Sequence, residues 1–430
     1  MKKNVLYMLL SVFSIQGTAF LSQLILAGVL STENFAIVRT AESTLQLLST
    51  IAPWGMSLLV IRLASQEVGH EEQGKALTSY IALAGISALI LAAIGALILT
   101  NTASQVSSYL SILIWIVVLT SLSRTSLNYF YGKEQFGLIS VVTFVTSLVS
   151  LMLLVVLATR WQLNGWVASR YVTELIVLGI AIMFVRGNLI AKLLTKVESI
   201  KALAEGMAVS LSLVLRSAIE NLPLLIFAYL SADQSAIATY GLCTLLITGA
   251  MVLPGSIISV LLPRYGNMQK NAPHQIPAQH AKYERIVILV GAAVALLLVG
   301  TGYLVAHVFS EKYAGLQPYL TAIALIVPVR AYMIINANVL FVHQKTATGT
   351  KINFAGAASV ALLSFALYFP FGLWGVVVGT VLVEIGSALF FKHHSKGIIA
   401  SECPALAIAV SGAFPRSNDA PSVTRASNHG

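Results

Sequence analysis

The sequence predicts an all-α integral membrane protein of about twelve transmembrane helices, built as two six-helix halves with a central cavity between them. Three observations predict it. The 430 residues are 57% hydrophobic and only 10% charged, with a mean hydropathy of +0.85, which leaves too little polar surface to cover a water-soluble globule. Apolar stretches near the roughly 20 residues that a spanning helix needs recur along nearly the whole chain. The first part of the sequence also reappears, shifted, in the second.

Taken in order, helices are expected near 4–30, 40–63, 79–100, 109–131, 138–158, 166–185, 206–230, 236–262, 286–308, 317–342, 352–369 and 371–391. The linkers are short and hold most of the charge, as in Gln66 to Ser79, Arg186 to Glu205 and Pro263 to Arg285. Lys2 and Lys3 before an apolar run resemble a signal peptide, but the run is too long, and Gly17, Thr18 and Ala19 form no convincing cleavage site. From Lys392 the chain turns polar and rich in Ser, Pro and Ala, so 392–430 reads as a disordered tail.

Orientation follows from Lys and Arg on alternate loops. With the N-terminus inside, the inner segments and helix ends hold seventeen basic residues; Arg39, Arg160 and Lys312 are the three outside. Both termini are therefore expected in the cytoplasm. The net charge of +10 is mainly this orientation signal, and no nucleic-acid partner is needed to account for it.

The repeat divides the chain into 1–197 and 198–391. A shift of 200 aligns Leu30, Ser31, Ala36, Ile37, Thr44, Leu45, Gly55 and Val60 with Leu230, Ser231, Ala236, Ile237, Thr244, Leu245, Gly255 and Val260. Near an offset of 210, Gly165 and Glu174 match Gly375 and Glu384, and Lys133 matches Lys345. Six is even, so both halves enter the membrane in the same sense, related by an axis along its normal. Gly375 with Gly379, echoed by Gly165 and Ser169, reads as close helix packing.

Charges inside the spans carry the functional reading, because each costs about 2.5–3.5 kcal/mol at a helix centre and so faces protein or a wet cavity. Eight stand out: Glu42, Arg124, Arg170, Glu174, Arg216, Glu220, Arg330 and Glu384. Arg170 and Glu174, like Arg216 and Glu220, are four apart and can pair on one face; such pairs also have a purely structural reading, each helix neutralising itself for insertion. Arg124 and Arg330 lack an acidic partner on their own helix. They are the better candidates for an anionic ligand, since the guanidinium fork suits phosphate; the plainer reading is that they snorkel. Glu42 heads a polar stripe with Gln46, Ser49 and Thr50, and is either a proton or cation site or a hydrogen-bonded structural carboxylate. Arg62, Arg264, Lys133 and Lys345, at cytoplasmic helix ends, either collect a headgroup or simply anchor the chain.

Enzyme signals are poor. GHEEQGKA at Gly69 to Ala76 mimics a phosphate-binding loop, but Ala76 stands where a metal-binding Ser or Thr belongs. Cys243 and Cys403 suggest neither disulfide nor metal site, and His393 and His394 belong to a charged flank. No catalytic residue and no cofactor are expected.

The opening MKKNVLYMLLSVFSIQGTAFLSQLILAGVLSTENFAIVRTAESTLQLL, the pattern IAPWGMSLLVIRLAS and the segment NGWVASRYVTELI, with the six-plus-six plan, resemble the polysaccharide transporter branch of the multidrug, oligosaccharidyl-lipid and polysaccharide exporter superfamily, whose members include O-antigen and capsule flippases. The resemblance covers about residues 1–392. It implies translocation of an undecaprenyl-pyrophosphate-linked oligosaccharide from the cytoplasmic to the periplasmic leaflet of a bacterial inner membrane, by alternating access driven by a proton or sodium gradient. Under that reading Arg124, Arg170, Arg216 and Arg330 are the cavity cations, and Glu42, Glu174, Glu220 and Glu384 are candidates for ion coupling. Expected partners are the membrane lipid-linked oligosaccharide, with a polysaccharide polymerase and a chain-length regulator as further candidates. The rival readings are a multidrug cation antiporter of the same superfamily and a polysaccharide polymerase; four intramembrane arginines argue against the first and short outer loops against the second.

Overall fold

The computed structural model describes residues 2–402 except 67–68, 102–103, 272–274, 309–311, 314 and 344. Among the described residues every regular element is helical. In chain order these are α1 (Lys2–Val29), α2 (Thr32–Ile51), α3 (Met56–Ala64), α4 (His70–Thr100), α5 (Gln105–Leu113), α6 (Ile116–Gly132), α7 (Phe136–Val185), α8 (Lys196–Leu230), α9 (Gln234–Ala250), α10 (Val252–Asn271), α11 (Ile276–Val308), α12 (Leu316–Ile323), α13 (Ile326–Val342), α14 (Thr346–Phe371) and α15 (Leu373–Glu402).

Side-chain oxygens set several starts. Ser31 accepts from the Asn34 amide ahead of α2, Asp233 from the Ser235 and Ala236 amides ahead of α9, and Thr195 with Glu198 closes a reciprocal cap at α8. The lipid-facing surfaces carry residues such as Leu89, Ile90, Leu97, Leu296, Leu362 and Phe369, all more than half exposed. So dense an apolar surface is stable only in hydrocarbon.

By length and composition nine described helices can cross a membrane, or ten if α2 and α3, bent by 51°, form one crossing. The difference from twelve arises at two places. Among the residues whose side chains are described, the apolar part of α1 is Gln16–Val29, and 136–188 is one helix of 53 residues, roughly 80 Å at 1.5 Å per residue and far longer than a ~30 Å core. That helix is folded. Gln162 has φ 51° and ψ −128°, and a Cβ on Gly165 would lie 1.9 Å from the Leu157 carbonyl oxygen. Residues eight apart are about 12 Å apart along a straight helix, so the chain doubles back there. Gly372 repeats the conformation at φ 55° and ψ −132°, and a Cβ on Gly375 would likewise lie 2.0 Å from the Leu367 carbonyl oxygen. Both pairs are separated by 210 residues, the offset that relates Glu174 to Glu384.

Several linkers are shorter than expected. His70 to Ser79 is helical, so the GHEEQGKA segment forms the first turns of α4; α8 begins at Lys196; and α10 and α11 take up most of Pro263 to Arg285. The last helix continues to Glu402, so 392–402 is helical, while 403–430, with Cys403, lies outside the described residues.

The turns after α6, α7 and α13 carry Lys133, Lys192 and Lys345 and, with the turn after α3 between Arg62 and Lys75, form a basic end; the turns after α1, α4, α8 and α14 form the far end. The largest buried cluster unites the halves at the far end, where Leu26, Leu30, Phe35, Ile37 and Val38 join Tyr240, Leu242, Leu245, Leu316 and Leu320. Toward the basic end the apolar clusters divide. One holds Val60, Leu77, Phe130 and Val185 from the first half; another holds Ile258, Tyr265, Val287 and Ile335 from the second. The described cluster that bridges there is small, with Ala202 of α8 against Met56, Leu59 and Ala84. Among the described residues the halves thus share their main apolar core at the far end, whereas toward the basic end the buried clusters lie mostly within one half each.

Candidate functional site

Four carboxylates stand at one depth. Glu42 on α2, Glu174 on α7, Glu220 on α8 and Glu384 on α15 each lie about ten residues from the far end of their helix arm, roughly 15 Å along the axis and half the thickness of a hydrocarbon core. Arginines stand with them in two clusters, one per half.

In the second half the cluster is closed. Glu384 is fully buried and receives Arg216 Nη2 at 2.8 Å and Arg330 Nη2 at 2.5 Å. Arg216 also donates through Nε to Glu220 at 3.1 Å, and Arg330 Nη1 lies 3.4 Å from Glu220. Two guanidinium groups and two carboxylates therefore neutralise one another. Arg216 pairs with Glu220 as the four-residue spacing predicts, but Arg330 is not the free cation expected from its own helix: its partners come from α15 and α8, which sequence spacing along one helix cannot reveal.

The first-half cluster is looser and carries excess positive charge. Arg170 pairs with Glu42 on α2, Nε to Oε1 at 3.3 Å, and not with Glu174 as its spacing suggested. Its Nε makes no hydrogen bond of good geometry and neither does the buried Thr173 hydroxyl beside it. Arg124 makes no ion pair among the described residues; it is exposed, and it feels the attraction of Glu174 and the repulsion of Arg170. Gln46 is also exposed in mid-helix. Exposed polar side chains at this depth face water rather than lipid.

One intramembrane arginine was missed by sequence reasoning. Arg39, assigned to the outer side, lies inside α2 and donates to Gln23 of α1 and Thr244 of α9, both at 3.4 Å. The signal was available in the Ser31 cap, which starts α2 well before residue 40.

At the basic end, Arg62 pairs with Glu205, so it is partly neutralised, while Lys133 and Lys345 are exposed at matching turns. The side chain of Arg264 lies outside the described residues. Lys75 meets Glu198 at 3.5 Å, and Gly55, at φ 78°, sits against the backbone of Gly206. The first turns of α8 are thereby strapped to the first half.

A buried network at the same end also escaped sequence reasoning. Tyr265 donates to His280 Nδ1 at 2.9 Å; His280 Nε2 faces the Asn336 carbonyl oxygen at 3.3 Å, which also accepts from Ser395 at 2.6 Å. Asn336 donates to Glu284 at 3.1 Å, and Lys392 reaches the same carboxylate at 2.5 Å. Four helices are tied by this chain. Among the described residues no group of three potential ligands could hold a metal ion.

The comparisons fit this geometry. The chain superposes on an inward-facing multidrug resistance MATE family transporter of the MOP superfamily with a TM-score of 0.69 at 13% identity, covering 93% of this chain and 95% of the other. It superposes on the eukaryotic MATE transporter AtDTX14 with a TM-score of 0.68 at 14% identity, over 94% and 98%. A MOP superfamily transporter from Pyrococcus furiosus, described as having a binding pocket of reversed polarity, gives 0.61 at 11% identity, over 93% and 96%. The fold is therefore that of the MOP-superfamily membrane transporters. No curated protein matches the sequence. The family model described as polysaccharide biosynthesis protein matches residues 1–269, more than half of the chain, and the protein belongs to that family.

Proposed function

We propose that the protein is a flippase that moves undecaprenyl-pyrophosphate-linked oligosaccharide repeat units, of O-antigen, capsule or exopolysaccharide, from the cytoplasmic to the periplasmic leaflet by alternating access. The observation that carries this reading is the excess positive charge at mid-depth in the first half: Arg124 is exposed and without an ion pair among the described residues, Arg170 is held only by Glu42, and Glu42 and Glu174 are too few to balance these two and Arg39. A pyrophosphate headgroup needs such cations, its sugars need the surrounding hydroxyl and amide groups, and its polyprenyl tail can stay in the bilayer. Membership of a family described as polysaccharide biosynthesis protein supports a saccharide-bearing substrate.

On the positive-inside rule the basic end is cytoplasmic, so both termini lie in the cytoplasm of a bacterial inner-membrane protein and the far end faces the periplasm. The conformation is then open inward. Lys133 and Lys345 at the rim attract the headgroup. Of the coupling carboxylates, Glu174 is the best placed, because protonating Glu384 or Glu220 would strand buried guanidinium groups.

Deletion of the gene in its host tests the reading. Lipid-linked repeat units should accumulate complete and unpolymerised on the cytoplasmic side and be restored to the periplasmic side by the wild-type gene. Normal periplasmic delivery in a deletion strain with no second flippase would sink it.

A further inference from the structure

Arg39 is bonded in a way that a structural arginine is not. It lies in the far-end core, beside Phe35, Ile37, Val38 and Ala41 of α2. Among the described residues its terminal nitrogens reach only the neutral oxygens of Gln23 and Thr244, each at 3.4 Å, the long limit of a hydrogen bond. Its Nε is buried without a partner. Glu42, one turn further along α2, feels its charge but makes no ion pair with it; that carboxylate is taken by Arg170. A place is nevertheless built for it across the seam between the halves: a Cβ on Gly241 of α9 would lie 2.8 Å from Arg39 Cβ and Cγ. The guanidinium therefore sits under-satisfied in the layer that must part when the far end opens.

Opening that layer separates α2 from α9. Arg39 would then lose Thr244, keep its position on α2, and face the widened far end with most of its donors free. Removing a charge from good partners is costly, whereas these partners are weak, so exposure here costs little.

We propose that Arg39 is a second anion site of the transport path, masked by Gln23 and Thr244 while the far end is closed, and uncovered when it opens to receive the phosphate group handed on from Arg124 and Arg170. The proposal rests on the flippase reading. Arg39 lies about seven residues from the far end of α2, roughly 10 Å, and so nearer the exit than the mid-depth carboxylates.

The rival role is a latch, in which Arg39 acts only through its bonds to Gln23 and Thr244. The test measures periplasmic delivery of lipid-linked oligosaccharide in the deletion strain, complemented with Arg39→Gln, Arg39→Lys or the double variant Gln23→Leu with Thr244→Val, each matched for membrane abundance. An anion site predicts delivery reduced roughly tenfold or more by Arg39→Gln, the scale of a lost hydrogen bond to a charged group, a smaller loss for Arg39→Lys, and near wild-type delivery by the double variant. Loss of delivery by the double variant equal to that of Arg39→Gln would overturn the proposal in favour of a latch, and wild-type delivery by Arg39→Gln would overturn it outright. If Arg39→Gln does not accumulate, the double variant decides alone. Normal delivery by the uncomplemented deletion strain would instead strike the flippase reading itself.

Discussion

Glu384 is fully buried between Arg216 and Arg330, so removing either arginine leaves a carboxylate short of a partner in a dry place. Breaking a buried pair this way costs about 3–5 kcal/mol. Arg330→Gln is therefore expected to lower the amount of folded protein in the membrane, read by size-exclusion of the detergent-solubilised protein. Arg124 is exposed and unpaired. Its replacement by Gln should leave abundance unchanged and reduce delivery of lipid-linked oligosaccharide at least about tenfold, whereas Arg160→Gln, at the exposed hairpin, should leave delivery intact. Equal effects of the two would remove Arg124 from the site. The residue types were legible in the sequence, since charge in an apolar span declares itself. Their partners were not: Glu42 with Arg170 and Glu384 with Arg330 join different helices, and only packing decides which helices meet.

At the scale of elements, the two hairpins make the same turn with different residues. Gln162 occupies a conformation that glycine alone adopts without strain, and Gly372 occupies it freely. Gln162→Gly is expected to raise thermal stability, by about 1 kcal/mol, and Gly372→Gln to lower it by a similar amount, measured by thermal unfolding in detergent. Gly165 and Gly375 were legible as close-packing positions, and the doubling back falls in the gap expected between the helices at 138–158 and 166–185; that Gln162 is the residue in the strained conformation was not legible, because it is not a glycine. The His280 network binds α10, α11, α13 and α15 at the basic end. His280→Leu leaves Tyr265 and Asn336 buried without their partner and should destabilise the protein by about 1–3 kcal/mol. Unchanged melting would show that water replaces the imidazole.

Over the whole molecule, the described apolar core is continuous between the halves at the far end, whereas toward the basic end its clusters lie mostly within one half each, joined only through Ala202. Under the flippase reading that difference makes the far end the seal and the basic end the entrance. A cysteine replacing the exposed Gln46 of α2 should accordingly react with a membrane-impermeant thiol reagent from the cytoplasmic side of inverted vesicles and not from the periplasmic side of spheroplasts. Fold class, approximate spans and the charge-bearing helices could all be read from composition, period and the Lys and Arg distribution. Where the shared core lies could not, since the buried clusters at both ends use the same apolar residue types and only packing decides which of them meet. The most direct measurement of the central claim is translocation in proteoliposomes holding the purified protein and an undecaprenyl-pyrophosphate oligosaccharide, scored by access of an external glycan-cleaving enzyme. Under an imposed ion gradient, wild-type protein should move the oligosaccharide across the bilayer and Arg124→Gln should not. A protein that leaves the oligosaccharide in place while driving an amphipathic cation across the same bilayer would contradict the account.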